Sequence, residues 1–232
     1  MSRAEWVKEQ MLENIRSRRW PIGAAIPSER SLVETFGVSR LPIREALSYL
    51  EALGVLDIGH GRRPTVKKID AGTLGQLFPL MISLEGQQSF QQIFEVRTAL
   101  EGQTAYLAAL RRTRDDARRL YELADKFAAE VESEDVNAVE TDLEFHVQIA
   151  TACKNPLMSL LLHTLTRVVQ FGQIQSCKND LVRHRRAAQS HEQIADAIFH
   201  QDAERARVEM LAHLHYSASR IVSRDQNGDL GE

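Results

Sequence analysis

The sequence has few cysteines and no long apolar run, and each of these absences excludes a class of protein. Its two cysteines, Cys153 and Cys177, form no Cys-x-x-Cys pair, which argues against a disulfide framework and is typical of a reducing compartment. Either thiol is expected to be a small, buried apolar side chain. No apolar segment approaches the roughly 18 residues that span a bilayer, and the first residues lack a signal-peptide core. We therefore predict a cytoplasmic protein with no membrane segment.

Length and charge distribution indicate two domains with different partners. A chain of 232 residues suits two modest domains, and 43% hydrophobic with 26% charged residues is the composition of a globular protein. Residues 1–70 contain 12 Lys/Arg and 9 Asp/Glu, whereas the remainder contains 17 and 23. The basic excess lies in the first third, where contacts to phosphates would require it. Because this excess is small, specific contacts and dimerisation must supply much of any affinity for nucleic acid.

Residues 27–53 predict two helices joined by a tight turn. Ser28 is a candidate N-cap for the first helix, and Gly37 can adopt the left-handed conformation that ends it. Ser39 is a candidate N-cap for the second helix, whose apolar residues recur every three or four positions. Arg40 and Arg44 are four residues apart, so they lie on one side of that helix near its N-terminus. A helix–turn–helix presents such side chains to the major groove.

Residues 55–68 predict a β-hairpin directly after the second helix. A short strand at 55–58 and a basic strand at 62–68 flank a Gly-His-Gly turn. A ribbon in this place is typical of winged-helix domains, whose ribbon tip tracks phosphates or enters the minor groove. Residues 27–53 alone could also form an ordinary helical hairpin with two solvated arginines, and the ribbon favours DNA binding over that alternative.

The stretch from Gly23 to Val66 resembles the DNA-binding domain of the GntR family of bacterial transcription regulators. The matching segments are Gly23, Pro27–Arg30, Phe36–Arg40, Pro42–Leu47, Leu53–Val55 and the ribbon. The resemblance implies that Arg30, Arg40 and Arg44 contact DNA and that a residue between His60 and Arg62 reaches the minor groove. The residues that we assign to the predicted DNA interface are Arg30, Ser39, Arg40, Arg44, His60 and Arg62.

The remainder of the chain predicts helices without strands. A first helix at 3–19 belongs to the winged helix, and a domain boundary is expected at Asp70–Thr73. Later helices are predicted at 74–84, 90–112, 114–132, 135–153, 156–177, 181–200 and 203–223, with caps at Thr113, Asn155 and Asp202. We predict a mainly α protein with an N-terminal winged helix–turn–helix at 1–70, an all-helical bundle of six or seven helices at 71–226 and a disordered tail at 227–232.

Four potential metal ligands fall on apolar faces of three predicted helices. Asp142 and His146 are four residues apart and share a face, while His191 and His213 lie on the apolar stripes of later helices. His215 lies roughly 100° from the centre of its stripe and is the weaker candidate. Such side chains could converge in a bundle core, where metal sites are built. Alternatively, each buried imidazole only satisfies a nearby carbonyl.

The helical half resembles the FCD domain, the effector-binding domain of the FadR branch of the GntR family. The resemblance is carried by Arg97 with Leu100–Glu101, by Asp142-x-x-Phe145-His146, and by the pattern from His191 to Leu214. In many FCD domains one Asp and three His bind a divalent metal. The resemblance therefore implies a metal site formed by Asp142, His146, His191 and His213. The predicted helix at 74–84 favours the seven-helix FadR type over the six-helix VanR type.

The donor set and one arginine predict the kind of ligand. Three imidazoles and a carboxylate suit Zn²⁺ or Ni²⁺, and a six-coordinate ion would keep two positions for a bidentate carboxylate. The resemblance also places Arg97 toward the pocket, where its guanidinium could bind that carboxylate. The alternative for Arg97 is a salt bridge to a neighbouring Glu. A small organic acid is thus the expected effector.

These observations predict a ligand-responsive transcription regulator, which binds a palindromic DNA operator as a homodimer and acts as a repressor. The first rival is a metal-dependent hydrolase or lyase whose Asp/His cluster activates water. No separate general base lies beside that cluster in the sequence, and an enzyme would not need the winged helix. The second rival is a regulator that senses the metal itself.

Overall fold

A computed structural model describes residues 1–59, 61–75, 88–176 and 181–226. His60, Cys177, most of the predicted helix at 74–84 and the predicted tail at 227–232 lie outside these residues. The chain divides into two compact units, Met1–Thr73 and Leu74–Glu232. The fold is mainly helical with one small antiparallel sheet, which confirms the predicted fold class.

The first unit is a helix–turn–helix followed by a short ribbon. Its elements are α1 (Arg3–Arg16), α2 (Glu29–Phe36), α3 (Arg40–Ala52), β1 (Leu56–Asp57) and β2 (Thr65–Val66), with α4 (Ala71–Gly75) at the boundary. The strands pair Leu56 with Val66, and a bridge from Ala25 to Thr65, which the sequence did not predict, adds a third segment beside them. Helix α1 ends at Arg16, so the predicted bound at residue 19 is wrong.

Local capping explains where the two helices of the helix–turn–helix begin and end. The Ser28 hydroxyl accepts a hydrogen bond from the Ser31 backbone N–H, and Gly37 ends α2 at a φ of 63°. Ser39 occupies the N-cap position of α3, but its side chain makes no capping hydrogen bond. The predicted position of Ser39 is therefore confirmed, while the predicted cap interaction is wrong.

Apolar faces of α1, α2, α3 and the ribbon form the core of the first unit. Val7 and Met11 of α1 are fully buried, as are Ile43 and Leu50 of α3. Trp6 remains 37% exposed and packs edge-on against the Phe36 ring, with 5.9 Å between ring centroids. The core fixes α3 so that its opposite side, which carries Arg40 and Arg44, faces outward.

The second unit contains six long helices among the residues that the structure describes. They are α5 (Gln88–Arg111), α6 (Arg114–Glu132), α7 (Ala138–Ala152), α8 (Pro156–Ser176), α9 (Leu181–Phe199) and α10 (Ala203–Gln226). The predicted caps Thr113, Asn155 and Asp202 each accept a backbone N–H at the start of α6, α8 and α10. Helix α7 begins three residues later than predicted, because the Asp135 carboxylate accepts the Asn137 N–H in a turn.

Small and aliphatic side chains fill the core of the second unit. Helices α5 and α10 approach closely at Gly102, where an added Cβ would lie 2.9 Å from the Leu211 side chain. Cys153 is fully buried in this core, which confirms its prediction as a small apolar side chain. None of the helices in the described ranges is both long and apolar enough to cross a lipid bilayer.

Candidate metal centre and nucleic-acid interface

The helix–turn–helix presents its predicted DNA-contacting arginines on the surface. Arg30 lies in the first turn of α2, and Arg40 and Arg44 lie in the first turns of α3; all three are exposed. Ser39 is also exposed, and its hydroxyl is not used as a cap. Arg62 is exposed on the ribbon, while His60 is outside the described residues. The assignment of these residues to a DNA interface stays a prediction.

Three of these arginines form ion pairs with carboxylates of the same unit. The distances from arginine nitrogen to carboxylate oxygen are 2.9 Å for Arg44–Glu29, 3.2 Å for Arg30–Glu34 and 2.7 Å for Arg62–Asp57. These pairs were not predicted from the sequence. Arg30 and Glu34 are four residues apart on one helix, and this spacing could have predicted their ion pair. The other two pairs depend on the tertiary fold.

The four predicted metal ligands meet in the second unit. Asp142 and His146 extend from α7, His191 from α9 and His213 from α10, and one donor atom of each lies within 4.8 Å of the others. The three histidines are buried. His215, two residues beyond His213, is exposed, as expected for the weaker candidate. The buried cluster is therefore formed by side chains that are up to 71 residues apart in sequence.

The donor atoms lie close together, but His191 Nε2 is not aligned for a hydrogen bond with its neighbours. Asp142 Oδ1 lies 3.2 Å from His191 Nε2 and 3.9 Å from His146 Nε2, and His146 Nε2 lies 3.3 Å from His213 Nε2. Despite its proximity to Asp142, His191 Nε2 lacks the alignment of a hydrogen bond, and His191 Nδ1 is also without a partner. Donors about 2.1 Å from one ion are about 3.0 Å apart at neighbouring positions of a six-coordinate site and about 3.4 Å apart in a tetrahedral one. The spacing and the unsatisfied imidazole therefore fit a bound metal.

Glu101 of α5 orients the cluster, although the sequence analysis did not assign it to the site. One oxygen of its carboxylate contacts His146 Nδ1, and the other accepts a hydrogen bond from Arg97 Nε at 2.5 Å. A proton on Nδ1 leaves the lone pair of His146 Nε2 directed at the cluster. Carboxylates commonly fix metal-binding imidazoles in this way. The four-residue spacing from Arg97 to Glu101 was the available sequence signal.

The ion pair of Arg97 and Glu101 is buried, with side chains that are 3% and 1% exposed. Burial alone would raise the pKa of Glu101, but the positive charge of Arg97 and the hydrogen bonds from His146 and Arg97 outweigh it and lower that pKa to about 2. Glu101 is therefore ionised at neutral pH. Arg97 therefore forms the predicted alternative, a salt bridge to a neighbouring Glu, and it also lines the cavity beside the cluster, while its binding of an effector carboxylate stays a prediction.

Burial also sets the protonation of the cluster itself. Burial opposes the ionisation of Asp142, yet its contacts with the surrounding imidazoles hold its pKa well below the usual range. Burial lowers the pKa of His191 and lowers that of His213 further, so both imidazoles are neutral near pH 7. An ionised carboxylate and neutral imidazoles are the forms in which these side chains bind metals.

Aromatic rings enclose the centre on the side of His191. The Phe145 ring stacks on the His191 imidazole at 4.1 Å between centroids, and the Phe127 ring lies 4.8 Å away on a tilt. Both phenyl rings are essentially inaccessible to solvent. These contacts restrict the rotation of the imidazole and exclude water from that side of the cluster.

A cavity of about 20 Å³ adjoins the cluster and is lined in part by Arg97, Arg183 and Ser217. This volume holds an ion with about one water, but it is too small for an acid of several carbon atoms. Arg183 of α9 is 6% exposed and was missed by the sequence analysis. It lies two helical turns before His191 on the same stripe, and a charged residue on that buried stripe was the signal that could have identified it.

Comparisons with known proteins agree with this architecture. Residues 92–216 match the FCD domain family, and residues 3–66 match the bacterial regulatory proteins of the gntR family. The transcriptional regulator LutR of Bacillus subtilis is 29% identical over 196 residues, which cover 83% of this chain and 89% of LutR. The transcriptional repressor NanR of Cronobacter sakazakii is 27% identical over 218 residues, covering 91% and 82% of the two chains.

A solved structure also covers almost the whole chain. A GntR protein of Streptococcus agalactiae superposes with a TM-score of 0.77 at 26% sequence identity, covering 94% of this chain and 99% of that protein. Both units therefore have counterparts within one known chain.

Proposed function

The chain belongs to the GntR family of bacterial regulatory proteins and carries an FCD domain, and from this premise we propose that it is an effector-responsive repressor that binds a palindromic operator as a homodimer. Members of this family are transcription regulators, not enzymes, so the metal-dependent hydrolase or lyase is not retained. The observation that carries the proposal is the coexistence, in one chain, of an exposed helix–turn–helix and a buried Asp/His₃ cluster. We place the protein in the cytoplasm, where its operator would be.

The first unit would bind DNA through α3. Its first turns would enter the major groove, with Arg40 and Arg44 over base edges and a ribbon residue between His60 and Arg62 at the minor groove. Two copies related by a two-fold axis would read half-sites separated by roughly 34 Å or a multiple of it. The similarity to NanR, which is named a transcriptional repressor, supports the assignment of this chain as a repressor. Its placement in the FadR branch and in the seven-helix type stays a prediction.

The second unit would bind a divalent metal through Asp142, His146, His191 and His213. A bound Zn²⁺ or Ni²⁺ would supply a Lewis-acidic centre for an anionic ligand. The fit is supported by the unsatisfied ring nitrogens of His191, which lie in a dry, aromatic-walled position where an unused donor is costly. Glu101 would keep His146 in the tautomer that the metal requires.

A small organic acid is the proposed effector, and the size of the cavity indicates how it would act. Since about 20 Å³ does not admit such an acid, the side chains or helices around Arg97 and Arg183 would move to bind it. This movement would change the separation of the recognition helices in a dimer, with a coupling free energy on the order of 1–3 kcal/mol. The rival in which the metal is itself the signal predicts that the acid has no effect.

Operator binding is tested at low ionic strength by gel retardation of DNA fragments from the promoter region of the gene that encodes this protein. The unsubstituted protein should shift one fragment, Arg44→Ala should abolish the specific shift, and Arg114→Ala should leave it unchanged. Arg114 is an exposed arginine at the start of α6 and controls for loss of one positive charge. A specific shift that persists with Arg44→Ala would show that the recognition-helix assignment is wrong.

Metal binding is tested by elemental analysis of the purified protein. His191→Ala should lower bound metal strongly, while His215→Ala, which changes an exposed histidine of α10, should not. Chelator titration of the DNA complex, with and without added carboxylic acids, separates an acid effector from the metal as the signal. Unchanged metal content in His191→Ala would remove this residue from the site.

A further inference from the structure

We propose that Glu29 is a positioning residue for Arg44, holding its guanidinium ready for a guanine and reducing its attraction to phosphates elsewhere on DNA. The inference rests on the proposed operator binding. It concerns selectivity between operator and other DNA, which the family membership of the chain does not specify.

The pair joins the two helices of the helix–turn–helix. Glu29 is the first residue of α2 and Arg44 lies in the second turn of α3, and their side chains meet at 2.9 Å between Oε1 and Nε. The Glu29 side chain is 33% exposed and that of Arg44 is 65% exposed. Because α2 and α3 are packed on one core, the carboxylate is a fixed point against which the longer arginine is held.

The atoms used by this pair leave the reading end of the arginine available. Arg44 donates Nε–H to Glu29, and no hydrogen bond to its Nη1 or Nη2 occurs within the described part of the chain. Two parallel N–H groups at the end of the guanidinium match guanine O6 and N7. A guanidinium whose plane is already fixed loses less conformational entropy when it binds.

The charge of Glu29 acts differently on the two kinds of DNA contact. Attraction between arginine and phosphate is largely a matter of net charge, so a neighbouring carboxylate weakens it. A guanine edge is recognised by the geometry of its two acceptors, which the pair preserves. Glu29 therefore lowers the affinity for arbitrary sequences more than the affinity for the operator, which raises specificity by disfavouring the wrong partner.

The other two pairs lack this combination of features. Arg30 and Glu34 lie on one helix with side chains that are 86% and 67% exposed, so the pair restrains Arg30 little. Arg62 binds Asp57 through Nη2, one of the nitrogens that a bidentate contact would need. Among these three arginines, only Arg44 is both bound by a residue of a neighbouring helix and has Nη1 and Nη2 available for a bidentate contact.

The test compares the dissociation constants of two DNA duplexes over a series of salt concentrations. One duplex is selected from a random-sequence library by the unsubstituted protein, and the other is a scrambled duplex of the same composition. Glu29→Gln should bind the scrambled duplex more tightly and lower the ratio of specific to non-specific affinity by about three- to fivefold. Glu29→Asp keeps the charge but shortens the reach, so it should lower the ratio through weaker operator binding alone.

Glu13→Gln is the matched control, because Glu13 is an exposed residue of α1 in the same unit and the change in net charge is identical. Equal effects of Glu13→Gln and Glu29→Gln on both duplexes would reduce the role of Glu29 to net charge and overturn the proposal. An unchanged ratio in Glu29→Asp would overturn the positioning by Glu29. If the unsubstituted protein selects no sequence from the library, the proposed function itself fails, which is a distinct result.

Discussion

Arg44–Glu29 in the first unit and Arg97–Glu101 in the second are pairs of the same two residue types with different surroundings. The Nε-to-oxygen distances are 2.9 Å and 2.5 Å, so both are hydrogen-bonded ion pairs. The first has side chains that are 65% and 33% exposed, whereas the second has side chains that are 3% and 1% exposed. Burial rather than residue type therefore decides what each pair contributes.

Loss of an exposed pair costs little stability and loss of a buried pair costs much. Water screens the charges of Arg44 and Glu29, and breaking such a pair costs about 0–1 kcal/mol. Arg97 and Glu101 are removed from water, so loss of either partner leaves an uncompensated buried charge. Glu29 can therefore orient Arg44 without contributing much to the stability of the first unit, while the buried pair holds a fixed geometry in the second.

The largest expected effect comes from breaking the buried pair. Glu101→Ala should destabilise the second unit by about 3–5 kcal/mol, because Arg97 remains charged in the core and His146 loses the partner of its Nδ1. The free energy of unfolding is measured by urea titration followed by far-ultraviolet circular dichroism, to which the long helices contribute most of the signal.

Two variants control for this result. Glu29→Ala, the matching change in the exposed pair, should cost about 1 kcal/mol or less. The double variant Arg97→Met/Glu101→Leu removes both charges and should recover most of the loss. A loss in Glu101→Ala as small as that in Glu29→Ala would show that burial does not separate the two pairs.

A second effect, smaller than the first, is that a metal ion should stabilise the second unit against unfolding and leave the stability of the first unit unchanged. At about 100 times its dissociation constant, a bound ion stabilises the folded state by about 2.7 kcal/mol. Both tryptophans, Trp6 and Trp20, lie in the first unit, so their fluorescence reports its unfolding separately. Added Zn²⁺ or Ni²⁺ should raise the midpoint seen by circular dichroism and leave the fluorescence midpoint unchanged.

His191→Ala should remove this stabilisation, since the variant lacks one donor of the cluster. His215→Ala should retain it. A metal-dependent shift of the fluorescence midpoint that persists in His191→Ala would show that metal acts on the first unit through other residues and would contradict the assignment of the site to the second.

Much of the helical architecture could be predicted because it depends on local sequence. The predicted helix at 114–132 agrees with α6 at both ends, since Thr113 and Asp116 form a reciprocal capping box that the adjacent residues specify. The early end of α1 was not predicted, because the apolar spacing continues past Arg16 while the chain turns at Arg18, whose φ is 58°. Periodicity does not report such a change of backbone conformation.

The candidate site was predictable only in part for a related reason. Apolar-face placement identified the inward orientation of His146, His191 and His213, but their convergence was implied only by the family resemblance. The partnership of Glu101 with His146 joins residues that are 45 positions apart on different helices. Contacts of this kind follow from how helices pack, which a single sequence does not specify.

An effect of about 0.5–2 kcal/mol is expected from Asp116→Asn, which tests a nearly buried carboxylate whose cationic partner, Lys154, is exposed. Asp116 accepts the Thr113 N–H at 2.7 Å and pairs with Lys154 at 2.6 Å. Burial raises the pKa of Asp116, but Lys154 and Thr113 outweigh it, so the pKa is lower in the folded state than its ordinary value of 3.8.

The sign of the pH dependence follows from that lowered pKa. The folded state binds the proton of Asp116 more weakly than the unfolded state does, so this carboxylate contributes stability above pH 3.8 and loses it as the pH falls further. In urea titrations between pH 6 and pH 3, the unsubstituted protein should therefore lose more stability than Asp116→Asn. Parallel curves for the two proteins would contradict a native-state interaction of the carboxylate.

The smallest effect, and the sharpest comparison within the first unit, concerns its two N-cap serines. Ser28→Ala should cost about 1 kcal/mol, because the hydroxyl accepts the Ser31 N–H, as fluorescence-detected urea unfolding would show. Ser39→Ala should cost less than about 0.5 kcal/mol, because its hydroxyl makes no cap bond. If Ser39 faces DNA, that free hydroxyl is available to a phosphate, so the same variant should weaken operator binding. A large loss of stability in Ser39→Ala, with unchanged DNA affinity, would instead assign Ser39 to the cap.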